Sequence, residues 1–204
     1  MRCAEVVTLD ASYAEELAEL HAKALPDDVL PALGLPFLVR YYAAVLADAS
    51  QAVFGAVHEG SVTGFCQLSF SPVSMSAVMK SNPRVLLMIL KLAWADTAAL
   101  IRGVVMDLHR PHGVAGLPEI SFIAVHPGFQ GRGIGKRLVD TANELARAKG
   151  CSRLFTKTAN AAAKVMYETS FGARQLSTVT ALGRRYWYLS WDPKVRDGND
   201  DVAR

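Results

Sequence analysis

Apolar residues recur along the chain with two different periods, and the pattern changes from one to the other several times. Runs that are apolar, or that alternate apolar with polar residues, predict strands. These runs are residues 5–9, 52–58, 61–70, 120–125, 153–157 and 185–191. The run at 120–125 is dominated by apolar residues, which predicts a strand buried on both faces, and the last run is expected to close the sheet.

Apolar spacings of three and four residues predict helices between these strands. The first helix follows Asp10, a candidate cap, and ends at Pro26, and the second begins at Pro36. Two more are expected at 134–149 and 161–170. Because strands and helices alternate in the second half, the pattern predicts one α/β domain with at least one parallel strand pair. The domain is expected to cover residues 1–192, followed by a polar tail at 193–204.

Residues 71–117 interrupt this rhythm, and an apolar helix or helix pair is expected to begin there at Pro83. A membrane-spanning helix needs about 20 mostly apolar residues, and each central charge costs roughly 2.5–3.5 kcal/mol. Lys91, Asp96 and Arg102 fall inside the apolar window, so no transmembrane span is predicted. The segment is expected to pack on the domain, and a lid, a homodimer surface or an interfacial membrane contact are alternatives.

The composition describes a globular chain with a small excess of positive charge. Of 204 residues, 51% are hydrophobic and 20% charged, and the net charge is +3, so no nucleic-acid partner is expected. Cys3, Cys66 and Cys151 lie far apart without metal-ligand spacing, which predicts reduced thiols and no metal. The N-terminal residues lack the apolar core of a signal peptide, so we expect a cytoplasmic protein.

The stretch GFQGRGIGKRL, residues 128–138, places glycines and cations between a strand and a helix. It does not fit a P-loop, because its spacing is wrong and Arg137 stands where Ser or Thr must hold a metal. It fits the dinucleotide fingerprint only in Gly131 and Gly133, since Lys136 takes the place of the third glycine.

A third phosphate-binding pattern, Q/R-x-x-G-x-G/A, fits completely at Gln130, Gly133 and Gly135. Backbone N–H groups at a helix start are unpaired and carry partial positive charge. Glycines let a pyrophosphate approach them closely. Three nearby cations are expected to add positive charge: Arg132, Lys136 and Arg137.

Residues 118–150 resemble the strand, pyrophosphate loop and helix of the GNAT acyltransferase superfamily, which uses acetyl-CoA. The segment NAAAKVMYE, residues 160–168, resembles the second signature of that family, N-x-x-A-x-x-[apolar]-Y. The resemblance implies a three-layer α/β fold: a mixed, mostly antiparallel sheet with helices on both faces and a parallel pair splayed at the cofactor site. It also implies transfer of an acetyl or other acyl group from acyl-CoA to a primary amine, in a small molecule or a protein, by direct attack in a ternary complex.

The resemblance further implies roles for particular residues. Backbone amides of the loop would hold the CoA pyrophosphate at Gln130, Gly131, Arg132, Gly133, Ile134, Gly135 and Lys136. Ile123, Ala124 and Val125 would pair with the pantetheine arm, and the Val125 amide would face the thioester oxygen. Asn160 would bond the pantetheine chain, and Tyr167 would protonate the leaving thiolate.

Glu119 is the candidate general base, because GNAT enzymes often keep a carboxylate at this strand start that works through water. His126 is a second candidate, but it follows the strand beside Pro127, a position that favours a role in starting the turn. Three histidines, His21, His109 and His112, could line a substrate pocket. Two lysines are expected to be solvated cations near the CoA phosphates: Lys157 and Lys164.

The sequence departs from the family after the tyrosine, where it reads YETSFGA instead of Y-E-x-x-G-F. The helix is therefore expected to end one residue later, or with a different turn. A non-catalytic CoA-binding or sensor module is the alternative function. Such a module would keep the glycine loop without needing Glu119 or Tyr167.

Overall fold

The structure, a computed structural model, describes residues 4–73, 111 and 113–193. In these ranges no helix is long and apolar enough to cross a membrane. The helix expected from Pro83 lies outside the described residues, as do His109, His112 and the tail beyond residue 193. The assignment of residues 1–192 to one domain stays a prediction.

The described chain forms strands and helices in an alternating order. Its strands are β1 (Glu5–Thr8), β2 (Gln51–His58), β3 (Ser61–Ser69), β4 (Glu119–Val125), β5 (Leu154–Thr158), β6 (Arg174–Ala181) and β7 (Arg184–Trp191). Its helices are α1 (Ala14–Ala24), α2 (Val29–Ala32), α3 (Leu35–Ala47), α4 (Ile134–Ala148) and α5 (Ala161–Phe171).

The seven strands form one sheet in the order β1-β2-β3-β4-β5-β7-β6. Neighbouring strands are antiparallel except β4 and β5, which run parallel. The predicted fold class, a mixed and mostly antiparallel sheet with one parallel pair, is therefore confirmed.

Helices cover both faces of the sheet because its strands carry apolar side chains on both sides. In β3, Phe65 packs with α1 and α3 in one core, whereas Cys66 packs with α4 in a second core. Successive residues of a strand point to opposite faces, so this change from one core to the other shows three layers. The GNAT-like layer arrangement expected from the sequence is thus confirmed.

The parallel pair separates soon after it begins. Strands β4 and β5 pair at Glu119↔Phe155 and Ile120↔Thr156. Between β3 and β4 the register shifts at the same level, because Gln67 pairs with Phe122 and Leu68 pairs with Ile120. Ser121 is therefore an extra residue in β4, and such a bulge bends its strand and increases the local twist. We attribute the opening between β4 and β5 to this bend.

Two expectations about the strands were wrong. Strand β4 is not buried on both faces, because Ser121, Phe122 and Ile123 are only partly buried where the strands separate. Strand β7 does not close the sheet, since it lies between β5 and the edge strand β6. Strand β6 itself was not predicted, because it is largely exposed and its sequence RQLSTVTA lacks a clear apolar face.

Candidate functional site

The separation of β4 and β5 opens a cleft of about 250 Å³. Its walls come from the end of α1 and the loop after it, from β4, from β5 and the start of α5, and from β7. Three of the predicted site residues line it: Ile123, Asn160 and Tyr167. Glu119, Ala124 and Val125 lie in the same strand as Ile123 but are not part of the lining.

The glycine-rich loop leads into the N-terminus of α4. Gly131 and Gly133 both have φ of +74°, and a Cβ at either position would meet no atom within 4 Å. Glycine is therefore favoured at these positions because of the positive φ angle, and not because a side chain would lack space. The first helical hydrogen bond runs from Arg137 N to Gly133 O (3.1 Å). The N–H groups of the three positions between them have no helical acceptor, and these are Ile134, Gly135 and Lys136.

Side chains fix the shape of this loop. Gln130 Nε2 donates to the carbonyl of Val125 (3.1 Å), which ties the loop to the end of β4. Arg132 Nη2 donates to Gly128 O (3.1 Å), and its guanidinium lies 5.0 Å from the centroid of the Phe129 ring. His126 Nδ1 accepts the Gly128 N–H (3.1 Å).

These contacts agree with the expectation for His126 and change the one for Arg137. His126 shapes the turn and does not line the cleft, so its geometry gives no support to a role as base. Arg137 donates to the carbonyl of Ala4, before β1, and this bond directs its charge away from the loop. Arg132 remains beside the loop, and Lys136 forms no ion pair within the described part of the chain.

Tyr167 lines the cleft and has a buried hydroxyl. The side chain is fully buried, and its hydroxyl has no hydrogen-bond partner among the described residues. The nearby Thr156 hydroxyl donates instead to Ile120 O (2.8 Å). Burial raises the pKa of Tyr167 well above its ordinary value, the Cys66 thiol adds to the rise, and the nearby Thr156 hydroxyl opposes it. The phenol therefore stays protonated and able to donate.

Helix α5 brings Asn160 and Tyr167 to the same cleft. Asn160 caps the helix, because its Oδ1 accepts the Ala163 N–H (3.1 Å). Tyr167 follows two turns later and lies on the same side. The helix runs through Phe171 and ends in a left-handed Gly172, so the range 161–170 predicted from apolar spacing was one residue short. The later end agrees with the position of the glycine in YETSFGA, which is one residue later than in the family pattern.

Glu119 is 7% exposed and begins β4. Lys157 Nζ lies 3.8 Å from Glu119 Oε1, so Lys157 is the ion-pair partner of the candidate base. The prediction that it is a solvated cation was therefore wrong. Lys164 was also misassigned, since it pairs with Glu168 one turn along α5.

His21 lies one layer behind the cleft and not in its lining. The ring is fully buried, its Nδ1 is 2.5 Å from Tyr42 Oη, and it packs 4.8 Å from the Phe122 ring. Its Nε2 is buried without a hydrogen bond among the described residues and lies 3.9 Å from Asp28 Oδ1. Burial lowers the pKa of His21 to about 4, against the opposing charge of Asp28.

Two sets of polar contacts near the cleft were not predicted from the sequence. Arg184 of β7 reaches across to the loop after α1, where Nη1 donates to Asp27 O (3.1 Å) and lies 3.6 Å from Asp27 Oδ2. At the bulge, Ser121 Oγ lies 2.8 Å from Ser69 Oγ, which in turn donates to Gln51 Oε1 (2.5 Å). The second set could have been suspected from the presence of polar residues inside otherwise apolar strands.

A parallel strand pair that separates near a glycine-rich helix start is the arrangement expected from the resemblance to GNAT acyltransferases. The sequence profile described as "Acetyltransferase (GNAT) family" matches residues 14–173. The chain belongs to this family, which confirms the resemblance found in its two signatures.

Individual relatives agree with this assignment. A segment of 54 residues, 26% of the chain, is 44% identical to the mycothiol acetyltransferase of Beutenbergia cavernae, and the match spans 18% of that protein's length. The PaiA N-acetyltransferase of Thermoplasma acidophilum, solved in complex with coenzyme A, is 12% identical, with a TM-score of 0.59 over 94% of this chain and 99% of that one. An acetyltransferase from Thermus thermophilus is 14% identical, with a TM-score of 0.55 over 94% and 97%. At these identities the two solved structures show the fold.

Proposed function

We propose that the chain transfers an acetyl group from acetyl-CoA to a primary amine by direct attack within a ternary complex. The observation that carries this proposal is Tyr167, which lines the cleft and whose hydroxyl is buried, protonated and without a hydrogen bond among the described residues. Burying an unpaired hydroxyl costs free energy. A group that leaves as a thiolate in the cleft would supply the missing partner.

The residues around the cleft fit the donor in two further respects. The free amides of Ile134, Gly135 and Lys136 form a helix N-terminus of the kind that binds phosphate groups. Beyond Ile120, the edge of β4 no longer pairs with β5, so it can accept an extended chain as an added strand. Ile123, Ala124 and Val125 would bind the pantetheine arm there, and Asn160 would bond it from the opposite wall.

Each proposed catalytic group acts on one proton or charge. The amine nitrogen forms a bond to the thioester carbon and loses a proton to Glu119 through water, while the carbon–sulfur bond breaks. Tyr167 gives its proton to the sulfur, and the Val125 N–H stabilises the charge on the carbonyl oxygen. General acid or base catalysis contributes about 10²–10⁴-fold in rate, so loss of either group should be visible in kcat.

Calorimetric titration of acetyl-CoA tests the donor site. Gly133→Glu should abolish binding, because it places a carboxylate and a strained left-handed residue at the phosphate site. Gly150→Glu is the matched control, since Gly150 also has a positive φ (+75°) in open space but lies at the opposite end of α4. Equal loss of affinity in both variants would refute the assignment of the pyrophosphate to the loop.

Turnover distinguishes the enzyme from a non-catalytic CoA-binding module. With an amine panel and detection of the released thiol, Tyr167→Phe should lower kcat about 10²-fold or more and leave acetyl-CoA affinity nearly unchanged. If the parent protein binds acetyl-CoA but releases thiol no faster with any amine than without one, the sensor alternative replaces the enzyme. Unchanged kcat in Tyr167→Phe would remove Tyr167 from the mechanism.

A further inference from the structure

The loop after α1 places two neighbouring carboxylates in the wall of the cleft, and their surroundings differ. Asp27 is paired, because Arg184 contacts both its side chain and its carbonyl oxygen. Asp28 accepts the Leu30 N–H through Oδ1 (3.1 Å) and so caps α2. In the described part of the chain, Asp28 has no Lys or Arg within ion-pair distance. Its negative charge at the cleft therefore lacks a cation from these residues.

The group behind Asp28 does not supply that cation. His21 Nε2 lies 3.9 Å from Asp28 Oδ1, but burial keeps the ring neutral near physiological pH. Phe122 also lines the cleft and packs against the His21 ring. A carboxylate and an aromatic ring that line one cleft are both groups that stabilise an ammonium group.

A third carboxylate, that of Glu119, lies near the cleft and differs from Asp28 in having a cationic partner. Glu119 lies 3.8 Å from the ammonium of Lys157, so its charge is already opposed within the protein. Tyr167 lines the cleft, and its hydroxyl is buried without a hydrogen bond among the described residues. A ligand in this cleft would thus meet the Tyr167 side chain and two cations, Lys157 and Arg184, that are already paired with carboxylates. It would also meet the carboxylate of Asp28, which has no Lys or Arg partner among the described residues.

We propose that Asp28 binds a second cationic group of the acceptor, so that the preferred acceptor is an amine carrying another ammonium group beyond the one acetylated. This inference rests on the proposed acetyl transfer and names its substrate class. Asp28 is a specificity residue in this assignment, and Glu119 and Tyr167 retain the chemical steps.

The test compares two acceptors that differ in one charge. Calorimetric titrations of 1,4-diaminobutane and 1-aminopentane, each into protein saturated with CoA, measure the contribution of the distal ammonium. A charge-assisted hydrogen bond stabilises by about 1.5–3 kcal/mol, so the diamine should bind about tenfold or more tightly than the monoamine. Asp28→Asn should reduce this preference to near unity. Equal affinities in the parent protein, or no binding of the diamine, would overturn the inference.

Matched variants separate charge from folding. Asn and Ser are also good helix caps, so Asp28→Asn and Asp28→Ser both remove the charge while keeping the start of α2, and circular dichroism checks that each folds. Asp48→Asn is the control, because Asp48 likewise accepts one backbone N–H, from Ser50 (2.8 Å), but does not line the cleft. A diamine preference that survives in the Asp28 variants, or is lost equally in Asp48→Asn, contradicts the assignment. Failure of the acetyl-transfer proposal appears separately, as the absence of acetyl-CoA binding or of acetylated product.

Discussion

Acidification should destabilise this protein through His21, which is buried without a charge. The folded chain holds the pKa of His21 at about 4 because burial disfavours the imidazolium, whereas an unfolded chain has a His pKa of about 6.5. Between these values the unfolded chain binds more protons than the folded chain, so stability falls as the pH falls. The penalty begins below the unfolded pKa and is complete below the folded pKa.

The size of the effect follows from the difference between the two pKa values. Linkage predicts a loss of about 2 kcal/mol in the free energy of unfolding from about pH 7 to about pH 5, and about 3 kcal/mol by about pH 4. His21→Gln cannot titrate, so its stability should fall by correspondingly less over the same range. Urea unfolding followed by tryptophan fluorescence at several pH values measures both proteins.

Proton uptake by His21 can be checked with two variants. If the parent and His21→Gln lose stability in parallel, His21 is not the group that takes up the proton. Asp28→Asn provides a second test, because the Asp28 charge opposes the lowering of the His21 pKa. Its removal should move the titration of the folded chain, followed by the NMR shifts of the imidazole, to still lower pH, and a shift upward would contradict the role assigned to Asp28.

Two further predictions concern the support of the cleft. Gly64→Ala should cost about 1–3 kcal/mol of stability, because its Cβ would lie 3.0 Å from the Ile134 side chain and 3.1 Å from the carbonyl of Ala124; an unchanged urea midpoint would show that β3 and α4 move apart freely. Gln130→Ala should weaken acetyl-CoA binding while leaving the urea midpoint unchanged, because it removes only the exposed bond from the loop to β4. Unaltered affinity would mean that the loop keeps its shape without this bond.

The parts of the candidate site that could be predicted from the sequence are encoded locally. The glycine loop is a continuous stretch of sequence. The left-handed backbone at Gly131 and Gly133 affects only the neighbouring residues of that loop. Asn160 and Tyr167 belong to one helix, so their spacing alone brings them to one side. Such features need no knowledge of the sheet, which is why the loop, the following helix and the class of fold were predicted.

The parts that were missed depend on pairing between distant segments. The bulge at Ser121 exists only relative to β3, because a one-residue shift in register is not visible in either strand alone. Lys157 meets Glu119 because β4 and β5 are neighbours at this point. Burial of His21 requires packing against Tyr42 and Phe122, which lie in other elements. No local pattern carries this information.

The two faces of β4 place the proposed base and the proposed acid on opposite sides of the sheet. Ile120 packs in the core beneath α4, together with Tyr167, so Glu119, the residue before it, points to the opposite face, toward α1 and α3. In the proposed reaction the base and the acid therefore act from opposite sides of the sheet, and the reacting carbonyl lies in the gap between β4 and β5. An amine arriving past Asp28 approaches from the side of α1, which is the side of Glu119, and the sulfur leaves toward α5. This arrangement suits direct attack, because nucleophile and leaving group never compete for the same space.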